Sequence, residues 1–564
     1  MNKTLYPLSD ETERNLDNKY FVFDIETQGL KATPESFLFC CIYSKNYKKT
    51  CFSVAEIKKE LLHRRYRGKY VFAHNAEFDL TGIYGNILKF LDQKAIFNGK
   101  FICATNGVCT FADSHNIIQG SVASIGESIG IKKTLTYEIL GKGNVKRITQ
   151  KMIEGCFRDC EIIYKALNKI FNYCGELKLT IGSLSMNYFR RKFLNDSIQH
   201  SDKYDEEFFS SYYGGRVEAF KLGLVNAWKY DFNSMYPCVM KDIILPHPNY
   251  LKKVKPTVQK FLKHFLNKEG LISCSVNHAK NNFGYLPLRK NDEVIFPNGN
   301  FSGVWNLNEF RKAYSSGLVK IKKIYYVVYS DVVIKKLFTE FIETLYKKRL
   351  ESKSTIDKII FKNLQNNLYG KFGTKTKPKT QYIHDIDESE ELLYSLETSG
   401  TDYKLIKTGE GYYLEIFYNH KEQFSIPSFA SYITSAARVK LIESFEKYKD
   451  YKIVYCDTDS IAVQKKLPLE QSLKLGELKL EKEKILEIKG NKHYIELKEK
   501  KITLKLKGVP KKHHVDKEGF FVYQKMIKTK EGLRRGKESG IFEIVKKKIT
   551  KVYSKRLNNK PINL

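Results

Sequence analysis

The 564-residue sequence predicts a multidomain protein of mixed α/β and α+β class. Three observations predict it. The chain is longer than one hydrophobic core can organise, so three to five domains or subdomains are expected. The first third sets short apolar runs beside one long helical periodicity. The remainder mixes strand-like pieces, a basic helical stretch and a strand-like aromatic stretch, with no internal repeat or low-complexity tract.

Taken in order, "YFVFDIETQGL" reads as a strand ending in acidic residues, and "FLFCCIYS" as another. "KYVFAHNAEFDL" reads as a strand leading into a helix. Met152, Ile153, Cys156, Cys160, Ile163, Leu167 and Ile170 recur at helical spacing over 151–172. "SYYGGRVEAF" supplies a Gly-Gly break, and "NAWKYDFNSMYPCVM" a strand, a turn and a helix. Between about 245 and 330 lie the strand-like "LISCSV" and "IYYVVYS" and the turn signal "FPNGNFSG". Over 331–375 Leu345, Ile356, Ile359, Ile360, Leu364 and Leu368 mark helical faces. Residues 376–424 are aromatic, charged and strand-like, and hold the acidic patch "DIDESEE". The last sixty residues are strongly basic.

Lys and Arg number 97 against 63 Asp and Glu, a net charge of +34 spread along the chain. A solvated surface does not need such an excess; a binder of a long polyanion carries it. Nucleic acid is the partner this favours, with acidic membrane as the rival. No apolar run approaches the roughly 20 residues that span a bilayer, and "MNKTLYPLSDETERNLDNKY" has no apolar signal core. Eleven cysteines without a disulfide spacing fit a reducing compartment. Cys156 and Cys160, one helical turn apart, read as buried thiols rather than as a metal site.

"YCDTDS" at 455–460 sits between the apolar runs "KIV" and "IAV" and keeps two aspartates one residue apart with no basic residue among them. Carboxylates this close repel and raise each other's pKa, so they need cations. The flanks predict a hairpin with the carboxylates at its turn. An ordinary Asp-rich turn is the alternative. Asp231 in "YDFNSMYP" argues against it, because it ends a strand just where a helix begins. Strand-end aspartates from two segments make a divalent-cation site whose hard oxygens suit Mg²⁺. Two such ions about 3.5–4 Å apart clamp the attacking and leaving oxygens of a phosphoryl transfer.

"DFNSMYP", "KNLQNNLYGKFG" and "YCDTDS", in that order, resemble motifs A, B and C of family B DNA polymerases. "DIET", "HNAEFD" and "RDCEII" resemble the family's three 3′-5′ exonuclease motifs. "YYGG" resembles its exonuclease–polymerase linker, "TSAAR" a primer-template motif of the palm, and "KHY" a Lys-x-Tyr motif near the thumb. The resemblance implies a ribonuclease H-like exonuclease domain (1–173) followed by a right-hand polymerase with two insertions. Its parts are palm with motif A (174–243), a first insertion like the region that contacts a priming protein (244–335), and fingers (336–375). A second insertion for strand displacement and processivity (376–423), palm with motif C (424–507) and thumb (508–564) follow. The first exonuclease motif starts some two dozen residues in, so the extra N-terminal domain of cellular enzymes is expected to be absent. That and the two insertions resemble the protein-primed branch, the replicases of small linear-genome bacteriophages and linear plasmids.

The same resemblance assigns residues. Asp231 and Asp457 hold two Mg²⁺ or Mn²⁺ ions, Asp459 tunes the site, and Phe232 counts as both metal- and nucleotide-binding. The amides after Asp231 open a helix and favour phosphate. Lys358, Lys362 and Arg349 neutralise the triphosphate, with a solvated basic face as the alternative for the lysines. Asn366 joins them. Tyr236 lies under the sugar and excludes a 2′-hydroxyl, and Tyr369 packs on the nascent base pair; either could be a core aromatic. Asp24, Glu26, Asp79 and Asp159 form a second two-metal centre for hydrolysis. Asn75 and Phe78 hold the frayed 3′ end, and Lys133 or its neighbour Lys132 meets the phosphate. Tyr212, Gly214, Gly215, Thr434, Arg438, Lys492 and Tyr494 contact primer-template DNA, with packing open for Tyr212.

Three positions depart from the family. Asn367 replaces a serine, and Met235 a leucine at similar volume. Gly155 stands where the third exonuclease motif has the tyrosine that orients water, so slow proofreading is expected; Tyr164, beyond Asp159, does not substitute by position. The implied activity is DNA-directed DNA synthesis with proofreading. The implied partners are template and primer DNA, dNTPs, a priming (terminal) protein and a single-stranded-DNA-binding protein, with no membrane. A monomer in the cytoplasm of a bacterial host is expected if a phage encodes it. A DNA-primed replicase or repair polymerase and a catalytically silent nucleic-acid scaffold are the alternatives.

Overall fold

The computed structural model describes residues 2–12, 16–97, 100–134, 145–290, 293–375, 379–383, 386–408, 411–417, 424–469, 472–499, 501–510, 513–516, 518–535 and 537–548. Parts of the second insertion and of the thumb assigned from sequence therefore lie outside the described residues.

The first unit forms around the strand Tyr20–Thr27. Its period of two sends Phe21, Phe23 and Ile25 into one core and Tyr20 and Val22 into another. Seven strands lie in the order Tyr47–Cys51, Phe37–Ser44, Tyr20–Thr27, Tyr70–Ala73, Thr110–Asp113, Lys100–Thr105, Asp92–Phe97. The pairs either side of Tyr70–Ala73 are parallel and the rest antiparallel. One face is covered by the helix Gln150–Cys174, which Thr149 caps by accepting from the Met152 amide at 3.4 Å. Ala76–Tyr84 covers the other, with Leu80 and Ile83 in its core.

A second sheet of seven antiparallel strands runs Val217–Ala219, Ile453–Asp457, Ser460–Val463, Gly223–Phe232, Leu478–Gly490, His493–Lys498, Lys501–Leu506. The helices Met235–Lys241 and Pro427–Lys447 pack on it through Met235, Ala437, Leu441 and Phe445. Thr339–Glu351 and Thr355–Phe372 form a helix pair beside it, closed by Phe341, Ile342, Leu345, Ile360, Leu364 and Leu368. Between these lies a smaller unit: a sheet ordered Leu251–Val254, Val319–Ser330, Glu269–His278, Gly299–Asn306, with helices Val258–His264 and Leu307–Ser315. Trp305 sits fully buried in its core.

The segment after the helix pair departs from its strand-like reading. Lys379–Ile383, Gly411–Phe417 and Asp402–Thr408 form a three-stranded sheet, but Glu390–Thr398 is a helix. Leu392, Leu393 and Leu396 recur at helical spacing and pack on Ile383, Leu414 and Ile416, which outweighs the aromatic, strand-forming context. Tyr382 and Tyr413 pack against Leu88 of the first unit. The C-terminal sheet (His514–Val515, Phe521–Met526, Phe542–Lys547) with the helix Thr529–Arg535 also reaches that unit. The Thr529 amide donates to Glu77 Oε1 at 3.1 Å, Lys528 pairs with Glu77 Oε2 at 3.1 Å, and the Ala32 amide donates to Gly540 O at 3.0 Å.

Arg438, on Pro427–Lys447, ties the second sheet's helix to the smaller unit and to the loop at Tyr213 and Gly214. Its Nε and Nη2 donate to Glu309 Oε1 and Oε2 at 2.6 and 2.7 Å, and its Nη1 to the carbonyls of Tyr213 and Gly214 at 2.8 and 3.0 Å. Both side chains of the ion pair are 1% exposed. This corrects the expectation that Arg438 contacts DNA: every nitrogen is spent inside the fold. Thr434 is likewise buried, with its hydroxyl donating to Ser431 O at 3.1 Å. We predict that Arg438→Ala costs about 3–5 kcal/mol, because it strands a buried carboxylate. Denaturant or thermal unfolding measures it, and the double variant Arg438→Met, Glu309→Leu is expected to recover most of the loss.

Candidate active sites

The first centre lies where strands of the second sheet end. Asp231, next to last in Gly223–Phe232, stands opposite Ser460 on one side and Lys479 on the other. Asp457 ends Ile453–Asp457 and pairs across the hairpin with the same Ser460. The turn between the hairpin strands is tight: Thr458 takes φ +59°, its amide donates to Arg216 O at 2.7 Å, and the Asp459 amide donates to Asp457 O at 2.7 Å. The Phe232 amide donates to Asp459 O at 2.8 Å, which locks the two segments together. The Phe232 ring is buried in the sheet's core, so only its backbone can serve a ligand.

Burial, reinforced by Asp459 and Glu481 and opposed by Lys479 and Lys229, pushes the Asp231 carboxyl up to about 7. Burial and Asp457 also raise Asp459, while Lys362 and Lys229 act against the rise. Lys362 of the helix pair thus faces this centre, and Lys358 is exposed one turn away on the same helix. Arg349 Nη1 donates to Ser234 Oγ at 2.9 Å, which brings Arg349 to the loop after Asp231. Asn366 is half-buried on the helix of Lys362, and Asn367 is turned inward along it, donating to Asn363 O at 2.8 Å. Tyr236 and Tyr369 stack with centroids 4.6 Å apart and planes 3° apart.

The predicted DNA-contacting residues divide. Tyr212 is half-buried beside Tyr369, and a Cβ on Gly373 would come within 2.5 Å of its ring. Gly214 is exposed with open space around it, whereas a Cβ on Gly215 would lie 2.7 Å from Thr458, so glycine lets that loop approach the carboxylate turn. Lys492 Nζ lies 3.3 Å from Asp457 Oδ1 and so belongs to the centre itself. Tyr494 is buried against Tyr455 with centroids 5.3 Å apart, a packing role in place of the expected DNA contact.

The second centre lies on the first sheet. Asp24 and Glu26 come from the strand Tyr20–Thr27, Asp79 from Ala76–Tyr84, and Asp159 from Gln150–Cys174. Asp79 Oδ1 accepts from the Ile25 amide at 3.1 Å, so the helix is pinned between the two strand carboxylates. Burial, then Asp159, pushes Asp24 up to about 7; burial, then Asp24 and Asp159, pushes Glu26 up to about 9. Asp79 and Asp159 are raised by burial as well. Lys133, not Lys132, meets this set, as the ion-pair partner of Asp159 Oδ2. The other oxygen of Asp159 is buried without a hydrogen-bond partner. Crowded, raised carboxyls with an orphaned buried oxygen fit a divalent cation. Asn75 is exposed at φ +75°, at the start of Ala76–Tyr84, and Phe78 is half-buried one turn on.

Gly155 is buried inside its helix, and Tyr164 is stacked on Tyr20 at 4.8 Å with its hydroxyl on Asp17 O at 3.1 Å. Tyr164 is therefore core. Cys156 reads from the sequence as a buried thiol, and it is buried. The structure places its Sγ 3.7 Å from Asp24 Oδ2 and 3.4 Å from Asp24 O. Its position three residues before Asp159, on the same helical face, was the available signal.

The sequence profile of the family described as DNA polymerase type B, organellar and viral, matches residues 129–474. The chain belongs to this family. The DNA-directed DNA polymerase of Enterobacteria phage PRD1 is 26% identical over 426 residues, covering 73% of this chain and 70% of that one. A probable DNA polymerase of Neurospora intermedia is 27% identical over 383 residues, covering 63% of this chain and 38% of that one. Phi29 DNA polymerase, solved with primer-template DNA and incoming nucleotides, superposes with a TM-score of 0.68 at 17% identity, over 94% of this chain and 99% of that one. This protein is thus a DNA-directed DNA polymerase of viral type, and its fold is that of the Phi29 enzyme.

The raised carboxyls of the polymerase make its cation-free form pH-sensitive. A carboxyl whose folded pKa lies above its unfolded value adds stability at low pH and loses it as pH rises. For Glu26 the window runs from about 4.5 to about 9. In chelator, the melting temperature is expected to fall across that window. Glu26→Gln is expected to flatten the part of the slope due to this residue, and saturating divalent cation to flatten it in the wild type.

Proposed function

We propose that this polymerase replicates a linear genome by protein-primed, strand-displacing synthesis and proofreads with a separate 3′-5′ exonuclease centre. The observation that carries the reading is the presence of two carboxylate clusters on two different sheets, one rimmed by Lys362, Lys229 and Lys479 and the other by Lys133. In the polymerase centre Asp231 and Asp457 would hold two Mg²⁺ or Mn²⁺ ions, with the Phe232 carbonyl beside them and Asp459 and Lys492 tuning the charge. Those ions supply neutralisation of the charge that develops on the attacking and leaving oxygens. The chain does the positioning. Lys362, Lys358 and Arg349 meet the triphosphate, Tyr236 closes the space a 2′-hydroxyl would need, and Tyr369 supports the nascent base pair. The primer 3′-oxygen bonds to the α-phosphorus and pyrophosphate leaves. No strong base is required, because phosphoryl transfer of this kind rests on position and charge.

In the exonuclease centre Asp24, Glu26, Asp79 and Asp159 would hold the ions, Lys133 would meet the scissile phosphate, and Asn75 and Phe78 would grip the unpaired end, Phe78 by stacking. The missing tyrosine at Gly155 supports a slow proofreading rate.

For priming, the attacking oxygen is a hydroxyl of a partner protein in place of the primer's. The α/β unit within 244–335 supports this. It reaches the polymerase centre, with Arg289 donating to Tyr212 O at 3.2 Å and Gly284 O accepting from Arg216 at 2.7 Å. A priming protein must occupy the duplex channel, so it should present acidic surface to this chain's excess of lysine and arginine. The sheet packed on Leu88 would serve strand displacement.

Asp231→Ala or Asp457→Ala is expected to abolish nucleotide addition and spare degradation of single strands; Asp24→Ala with Glu26→Ala is expected to do the reverse. Near-wild-type extension by either polymerase-centre variant sinks the assignment. Priming is checked by incubating the enzyme, candidate partner, Mg²⁺ and one labelled dNTP without DNA primer. A labelled protein band that requires Asp457 is the expected result. Efficient DNA-primed extension with no labelled protein from any neighbouring gene favours a DNA-primed replicase.

A further inference from the structure

The exonuclease centre of this chain holds a sulfur atom among its oxygens. One oxygen each of Asp24 and Glu26 and the Sγ of Cys156 all lie within 4.8 Å of one another. Asp159, one helical turn beyond Cys156, has its Oδ1 buried without a hydrogen-bond partner and is 6% exposed. Asp159 acts electrostatically on both Asp24 and Glu26, so its charge faces the same space. The structure therefore brings two carboxylate oxygens and one sulfur within reach of a single ion, with the unpartnered Asp159 Oδ1 one helical turn beyond the sulfur.

We propose that Asp24, Glu26, Cys156 and Asp159 form a site for a thiophilic divalent cation, Zn²⁺ in nature and Cd²⁺ as its probe, overlapping the site that Mg²⁺ uses in proofreading. This rests on the exonuclease reading only for its consequence, not for the binding. Bonds of about 2.0–2.3 Å to O and S put the ligands of one tetrahedral ion about 3.5 Å apart. The Asp24, Glu26 and Cys156 donor atoms, within 4.8 Å of one another, close to that with small side-chain movements, and Asp159 joins them in the proposal by turning its unpartnered oxygen inward. Mg²⁺ prefers oxygen and does not recruit the thiol, which then remains a donor to Asp24. A softer ion takes the sulfur as thiolate and releases its proton to solvent. The two ions thus compete for the carboxylates, and sulfur gives the softer one the advantage. A zinc-loaded centre with four protein ligands has no open position for water and would be silent as a nuclease. In this reading, Cys156 makes proofreading sensitive to the zinc level.

The test uses the full chain without DNA. Cd²⁺ is titrated and the ultraviolet charge-transfer band of cadmium–thiolate is followed. Cys156→Ser should remove one thiolate's share of the band and weaken Cd²⁺ affinity at least tenfold. Asp24→Asn with Glu26→Gln should remove the same share, although every cysteine is retained. Cys238→Ser, on the other sheet's helix, should leave it in place. Mg²⁺ in excess should suppress the Asp24-dependent share. An unchanged band in Cys156→Ser, or in the Asp24, Glu26 variant, overturns the proposal. A band that depends on Cys156 in a chain that never degrades single strands with Mg²⁺ supports the site and overturns the proofreading reading instead.

Discussion

Mutual repulsion among carboxylates held out of water is the constraint around which the fold is arranged. Asp231, Asp457 and Asp459 converge at the ends of neighbouring strands, and Asp24, Glu26, Asp79 and Asp159 converge across one sheet and two helices. Burial alone would force protonation on several of them. The backbone holds them together against that cost. Asp231 is fixed by ladder register on both sides, and the Asp457–Asp459 turn by amides bonded to Arg216 O and Asp457 O. Lysines then stand at the rims, Lys362, Lys229 and Lys479 at one centre and Lys133 at the other. Each centre is thus under-compensated within the described residues, which is the electrostatic condition for taking up a cation.

What could be read from sequence follows from how local the signal is. The hairpin at "YCDTDS", the strand–turn–helix at "YDFNSMYP" and the helix carrying Asp159 are short, periodic and punctuated, and all three are present in the structure. The choice between Lys133 and Lys132 was not local: only the packing of the segment after Val122–Ser128 against Gln150–Cys174 brings one of them onto Asp159. Arg438 was misplaced for the same reason. A basic residue in a motif tied to DNA reads as a DNA contact, and nothing nearby reveals Glu309, which lies 129 residues away. Tyr494 is another such case, since an aromatic beside a lysine looks like a surface motif until Tyr455 is seen beneath it. Glu390–Thr398 failed differently. Its leucines carry helical spacing, but the aromatic strands around it set the reading of the whole segment.

The +34 charge acquires a spatial meaning from these ion pairs. Many lysines on the outside are neutralised by acidic neighbours, as in Lys498 with Glu483 or Lys252 with Asp331. Such exposed pairs stabilise little. The basic helix pair differs: Lys358 and Lys362 are exposed on a helix whose apolar face is committed to the core, and Lys362 looks toward a carboxylate centre. Binding a polyanion there discharges repulsion among like charges and releases counterions at the same time.

The C-terminal unit brings a further constraint to bear on the second carboxylate centre. Glu77 lies two residues before Asp79 on the same helix and is buried, with its carboxylate answered by the Thr529 amide and by Lys528. The helix that carries Asp79 is therefore held from one side by the Ile25 amide on Asp79 and from the other by the C-terminal unit on Glu77. Lifting that unit would strip Glu77 of both partners, giving up the Thr529 hydrogen bond and the Lys528 ion pair. Gly540 adds a steric term, since a Cβ there would lie 2.2 Å from Ala32 O, so the backbone contact between the units is as close as glycine permits. The helix carrying Asp79 is thus held jointly by the strand Tyr20–Thr27 and by the C-terminal unit.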